Sequence, residues 1–132
     1  MGSVILLAVN GTLMRGLELN GNLLAVNATF LREDWTAPVY RLWSISDRYP
    51  GMVRVATGGA AIALEVWQVP ATGLVQVLLQ EPPGLAIGQV HLQNGSTTLG
   101  VLAEPITCEG QQEITQWGGW RAYRSDRHLP SN

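Results

Sequence analysis

Apolar and polar positions along the chain alternate in short runs, each closed by glycine, proline or asparagine, and these runs predict more strands than helices. Val4 to Val9 is an apolar β-type run that stops abruptly at Asn10-Gly11, so a strand ends there in a tight turn. Leu17, Leu19, Leu23, Leu24 and Val26 have a partly helical spacing, but Asn20-Gly21-Asn22 interrupts it and supports at most a short helix or ordered loop. Residues 26–32 alternate as a strand ended by Glu33-Asp34, and residues 39–45 form another after Pro38. Residues 47–51, DRYPG, have the composition of a turn. The runs 52–56 and 60–69 are rich in β-branched and aromatic residues, and Gly58-Gly59 between them predicts an antiparallel hairpin. Pro70 then opens a helix over about 70–80, with Leu74, Val75, Leu78 and Leu79 at helical spacing and Pro82-Pro83-Gly84 as its stop. Strands over 86–93 and 97–103 flank Asn94-Gly95, a strong hairpin signal.

The expected fold is an α+β domain: a mixed or mostly antiparallel sheet curled into a small β-barrel, with one clear helix and a doubtful second. One domain over 1–124 accounts for the pattern. Beyond Glu104-Pro105 the chain reads as irregular, but ITQWGGWRAY carries two of the five tryptophans and is expected to dock onto the body rather than leave its rings in water. The polar stretch 125–132 is expected to be a loose tail.

Composition narrows the function classes. At 132 residues and 46% hydrophobic, the chain is long enough to bury a core without staples. A net charge of −2 and the absence of lysine give no footprint for nucleic acid. Cys108 is the only cysteine, which excludes an internal disulfide, a CxxC pair and a thiolate cluster. His91 and His128 lie far apart without ligand spacing, so neither a metal nor another cofactor is expected. The run 4–9 is too short to span a bilayer and lacks the features of a signal peptide; the chain reads as cytoplasmic, and the sequons at Asn10, Asn27 and Asn94 as chance.

Candidate chemistry centres on two places. Asn and Gly tolerate positive φ and a glycine lets another molecule approach the backbone closely, so the N–H groups around Asn10, Gly11, Thr12 and Leu13 can converge on an anion, although an Asn-Gly turn more often merely joins two elements. Glu81 closes the predicted helix before two prolines, with no Lys or Arg within several positions. In apolar surroundings its pKa rises towards the range of a general acid or base; the ordinary alternative is a solvated glutamate at a helix end. Glu65, in IALEVW, is expected to face solvent rather than a barrel interior. Arg41, Arg54 and Arg121 have apolar or aromatic neighbours and are candidate carboxylate clamps as well as ordinary surface arginines, and Tyr123 joins Arg41 and Arg54 as a candidate substrate contact. Thr12 has no nearby base to make it a nucleophile, and His91 reads as structural.

VNGTLMRGLELN, TAPVYRLWSI, PGMVRVATGGAAIALEVWQVP, GLAIGQVHL, GVLAEP and ITQWGGWRAY together resemble the C-terminal domain of allophanate hydrolases, within the γ-glutamylcyclotransferase-like superfamily. The resemblance implies that superfamily's fold. It also implies a small carboxylated or carbamate-like substrate held by the N–H groups of Gly11 to Leu13, with Glu81 in the place of the cyclotransferases' general base. Two positions depart from the relatives: Leu13 stands where the allophanate hydrolase domains usually carry a histidine, and Asn10 where cyclotransferases carry an aromatic residue. The expectations are a cyclotransferase-type enzyme, a stand-alone relative working beside a separate amidase, or a binding module, with a homodimer also open.

Overall fold

The computed structural model describes residues 2–128. In chain order the elements are β1 (Val4–Val9), α1 (Asn20–Ala25), β2 (Thr29–Trp35), β3 (Tyr40–Ile45), β4 (Tyr49–Arg54), β5 (Ala63–Pro70), α2 (Ala71–Leu79), β6 (Leu85–His91), β7 (Thr97–Ala103), α3 (Pro105–Cys108), β8 (Gln112–Glu113), a 3-10 turn (Thr115–Trp117) and α4 (Trp120–His128). Strands β2-β5-β1-β7-β6 form one five-stranded sheet, and β4-β3-β8 form a second of three strands. β1 lies at the centre, antiparallel to β5 and parallel to β7, so the sheet is mixed. The two edges of this sheet curl into contact: Thr36 bridges Leu92, Ala37 N–H donates to His91 O at 2.9 Å and Gln93 N–H to Trp35 O at 3.1 Å. The expected α+β, barrel-like architecture is present.

Burial explains the placement of β1. From Leu7 to Met14 every residue is buried, which suits a strand covered on both faces and demands that a polar side chain in the turn at its end, such as Asn10, find a partner. Leu7 and Val9 meet Leu42 and Met52 of the second sheet, and Val66, Val90 and Trp120, in one core. α2 packs through Gly73 and Val77; a side chain at Gly73 would strike Val26, so the glycine lets the helix lie close against the end of α1.

Three expectations need correction. The runs around 52–56 and 60–69 do not pair: β4 pairs with β3, while β5 inserts between β2 and β1. Gly58-Gly59 serves a close crossing rather than a tight turn, because a Cβ at Gly59 would lie 2.6 Å from the Val39 carbonyl carbon, and Ala60 bonds across to Tyr40. β2 continues through Glu33-Asp34 to Trp35 with an irregularity between Phe30 and Arg32; as an edge strand it can carry acids outward, where Arg15 and Arg32 pair with them. The irregular C-terminal region contains α3 and α4, and α4 carries the chain helically through Ser125 to His128; residues 129–132 of the expected loose tail lie outside the described residues. ITQWGGWRAY docks as expected, with Trp120 and Tyr123 fully buried.

No helix among the described residues is long and apolar enough to cross a membrane. No group of three or more His, Cys, Asp and Glu side chains that could hold a metal gathers among them.

Candidate active site

β1 delivers its terminal turn to the inside of the molecule. Asn10 is buried, and its Nδ2 donates to Val101 O at 2.9 Å and approaches Met52 Sδ at 3.8 Å, so the side chain ties the end of β1 to β7 and β4. Gly11 O accepts from Met14 N–H at 3.0 Å and Thr12 O from Leu19 N–H at 2.9 Å, which turns the chain back. Neither Asn10 nor Gly11 has positive φ; the left-handed residue of this loop is Gly16, at φ 75°. The glycine at position 11 is required instead by Pro50, whose Cδ would lie 2.5 Å from a Cβ placed there. No acceptor among the described residues takes the N–H groups of Gly11, Thr12 and Leu13.

Glu81 follows α2, its N–H donating to Leu78 O at 3.2 Å. Pro82 and Pro83 then redirect the chain into β6 and leave the carboxyl facing the 10–13 turn across a slot walled by Tyr49, Pro50, Leu85 and Val101. Its Oε2 is buried without a hydrogen-bond partner. Burial pushes the carboxyl up to about 7, with no cation beside it to oppose the shift. The slot has a volume of about 10 Å³, enough for one water or one substrate oxygen. It adjoins an open groove of about 480 Å³ that shares Thr12 and Tyr49 and is otherwise bounded by Glu18, Leu19, Asp47, Arg48 and the two prolines.

The remaining sequence candidates lie elsewhere, because their polar atoms are engaged. Arg41 Nε donates to Gly58 O at 3.1 Å and lies 3.9 Å from Glu113. Arg54 Nη1 donates to His91 Nε2 at 2.6 Å on a separate surface. Tyr123 OH donates to Asp47 Oδ1 at 2.6 Å, so it meets the β3–β4 turn rather than the slot. Glu65 overturns its expectation: it is 2% exposed. Its Oε1 accepts from Arg15 N–H and Trp67 Nε1, each at 3.0 Å, and its Oε2 from Arg15 Nε at 3.1 Å and Arg121 Nη2 at 3.2 Å. Burial acts to raise its pKa, but these donors together hold it below the ordinary carboxylate value. A separate hollow of about 240 Å³ among Trp35, Trp117 and Trp120 borders Glu65 and Arg121. With four donors already on it, Glu65 is a structural tie with no proton to trade.

The two carboxylates thus separate: one saturated, one unpaired and poised. The fold brings Glu81 and the 10–13 turn, both singled out in the sequence, to one slot, whose other walls were not singled out. Tyr49 and Pro50 sit in DRYPG, whose composition signals only a turn; their place in β4 beside Gly11 depends on a contact across the fold.

Residues 5–125 match the model of the allophanate hydrolase C-terminal domain. The chain belongs to that family. It is 35% identical over 126 residues to the urea amidolyase of Saccharomyces cerevisiae, covering 90% of this chain but only 7% of that enzyme. Among solved structures it is similar to c4763, described as a uropathogenic E. coli-specific protein, with 54% identity, a TM-score of 0.92, and 93% of this chain and 97% of that one covered. It is also similar to Kluyveromyces lactis allophanate hydrolase, with 32% identity, a TM-score of 0.88, and 95% of this chain and 22% of that one covered. An AIG2-like protein from mouse shares the fold at 18% identity and a TM-score of 0.59, over 79% of this chain and 78% of its own. The fold is the γ-glutamylcyclotransferase-like one.

Proposed function

We propose that this family member is a cyclotransferase-type enzyme acting on a small γ-glutamyl or related amino-acid derivative, with Glu81 as general acid and base. The observation that carries the reading is the pairing of a buried, unpartnered Glu81 Oε2 with the free N–H groups of Gly11 to Leu13 across a slot one oxygen wide. The substrate's γ-carbonyl oxygen enters the slot and receives the N–H groups, while the rest of the molecule lies in the adjoining groove. The α-amine attacks the γ-carbonyl carbon, forming the ring C–N bond; ionised Glu81 takes the proton released from the attacking nitrogen. As the tetrahedral intermediate collapses, the bond to the leaving nitrogen breaks and Glu81 returns the proton to that nitrogen. The products are a five-membered lactam and an amine. Donors aimed at the developing oxyanion lower the barrier, and holding the chain bent supplies the proximity that ring closure needs.

Release of 5-oxoproline from a panel of γ-glutamyl amino acids and amines tests this. Glu81→Gln is expected to lower kcat by about 10²–10⁴-fold, the usual weight of general acid–base catalysis. Unchanged turnover in the variant overturns the proposal. Because Glu81 must be ionised to start, kcat/KM rises with pH through about 7.

Family membership supports a second reading, in which the chain handles carbamate-like products of urea metabolism beside a separate amidase. Leu13, buried at 2% exposure, weighs against decarboxylation, since it offers no proton where the related domains usually have a histidine. CO₂ release from N-carboxycarbamate, or co-purification with an amidase, favours this second reading over the first.

A further inference from the structure

We infer that Arg48 is the specificity-determining residue of this site, and that it selects substrates bearing a carboxylate set apart from the reacting carbonyl. The inference rests on the proposed use of the Glu81 slot and names the substrate class. The chain has eight basic residues, all arginines. Arg15, Arg32, Arg41, Arg121, Arg124 and Arg127 pair with carboxylates, and Arg54 bonds to His91. Arg48 alone makes no side-chain hydrogen bond or ion pair among the described residues, and it stands on the wall of the groove that opens from the slot. The groove's two acids are already neutralised: Glu18 by Arg124 at 3.0 Å and Asp47 by Arg127 at 2.7 Å. The groove is left with one uncommitted positive charge, which suits a monoanion.

The backbone beneath Arg48 is fixed. Ser46 and Asp47 both adopt left-handed conformations, at φ 54° and 56°, which residues other than glycine hold only when their surroundings impose it. Asp47 is held by Ser44 Oγ at 2.7 Å and by the hydroxyl of buried Tyr123 at 2.6 Å. A free guanidinium on a pinned turn reads a carboxylate through two parallel hydrogen bonds, with little ordering cost on the backbone side. For a γ-glutamyl compound the group it takes is the α-carboxylate, which the lactam product retains.

Binding separates this inference from the catalytic one. 5-Oxoproline and glutarate serve as carboxylate probes and 2-pyrrolidone as the neutral counterpart, titrated calorimetrically against the wild type, Arg48→Gln, Arg48→Lys and Glu81→Gln. The wild type is expected to bind both carboxylates better than 2-pyrrolidone. Arg48→Gln should weaken carboxylate binding at least tenfold and leave 2-pyrrolidone unchanged, Arg48→Lys should fall between, and Glu81→Gln should retain carboxylate binding. In turnover, Arg48→Gln raises KM and leaves kcat nearly unchanged. Wild-type affinity of Arg48→Gln for 5-oxoproline overturns the inference, as does a wild type that binds no carboxylate probe better than 2-pyrrolidone. If Glu81→Gln keeps full turnover while Arg48→Gln loses carboxylate binding, the catalytic assignment fails and this one stands.

Discussion

Gly11 lies in the turn facing Glu81, yet its missing side chain answers first to packing. A methyl group there would sit 2.5 Å from Pro50 Cδ and 2.7 Å from Cγ, and a proline ring cannot rotate aside. Gly11→Ala is expected to cost about 1–3 kcal/mol, the usual weight of overpacking a dense region, read as a lower midpoint in urea; an unchanged midpoint means β4 can shift at no cost. Two local rules marked Gly11, tolerance of positive φ and close approach of another molecule; the first does not apply here, and the neighbour that requires the glycine is Pro50, a contact that arises from the fold. Glu81 was legible for a better reason. No arginine pairs with it among the described residues, and burial is the cause that shifts it. Glu65 was not legible, since alternation along β5 cannot say which face is covered, and its donors come from residues 15, 67 and 121.

Among the elements, adjacency in sequence was not enough by itself: the β3–β4 pairing is as local as the β6–β7 one, yet Gly58-Gly59 drew the 52–56 run to the wrong partner. The β6–β7 hairpin follows from Asn94-Gly95, where Gly95 has φ 90° and Asn94 Oδ1 accepts from Ser96 N–H at 2.9 Å. The insertion of β5 between β2 and β1 was not readable, because strand neighbours are chosen by long-range burial. α4 falls between these cases: its aromatics announced docking, but Gly118-Gly119 and the charged residues that follow hid the helix. Its two anchors do different work. Trp120→Ala should cost about 3–5 kcal/mol through the cavity it leaves. Tyr123→Phe keeps the ring and removes the hydroxyl's bond to Asp47 with its longer 3.5 Å contact to Gln112 Oε1, which should cost about 1.5–3 kcal/mol, set mainly by the hydrogen bond to the charged acceptor. Amide exchange in the β3–β4 turn should quicken in Tyr123→Phe; exchange rates equal to the wild type would mean that Ser44 and Arg127 suffice to hold Asp47.

Across the whole molecule the carboxylates pull stability in opposite directions with pH. Hydrogen bonds from Ser44 and then Tyr123, and the pairing with Arg127, hold Asp47 below its ordinary value, and the backbone bond and Arg124 do the same for Glu18 against a smaller effect of burial. Glu65 is also lowered, its donors outweighing burial. These groups contribute stability that is present above their unfolded-state pKa values and lost as pH falls through the folded ones. Glu81 works the other way. Between its ordinary 4.5 and about 7 the folded chain holds a proton that the unfolded chain has released, so stability declines as pH rises across that window. The full decline amounts to roughly 3 kcal/mol at 1.36 kcal/mol per pKa unit. Stability should therefore peak in the mildly acidic range and fall towards neutrality, where the ionised carboxyl becomes useful as a base. Glu81→Gln keeps the shape of the protonated group without the ionisation, so it should match the wild type near pH 5 and exceed it increasingly up to pH 8. Urea unfolding of both proteins across that range measures the difference directly. Parallel curves would mean that the Glu81 carboxyl titrates like any exposed glutamate, and the slot would then lack the poised proton on which the proposed catalysis depends.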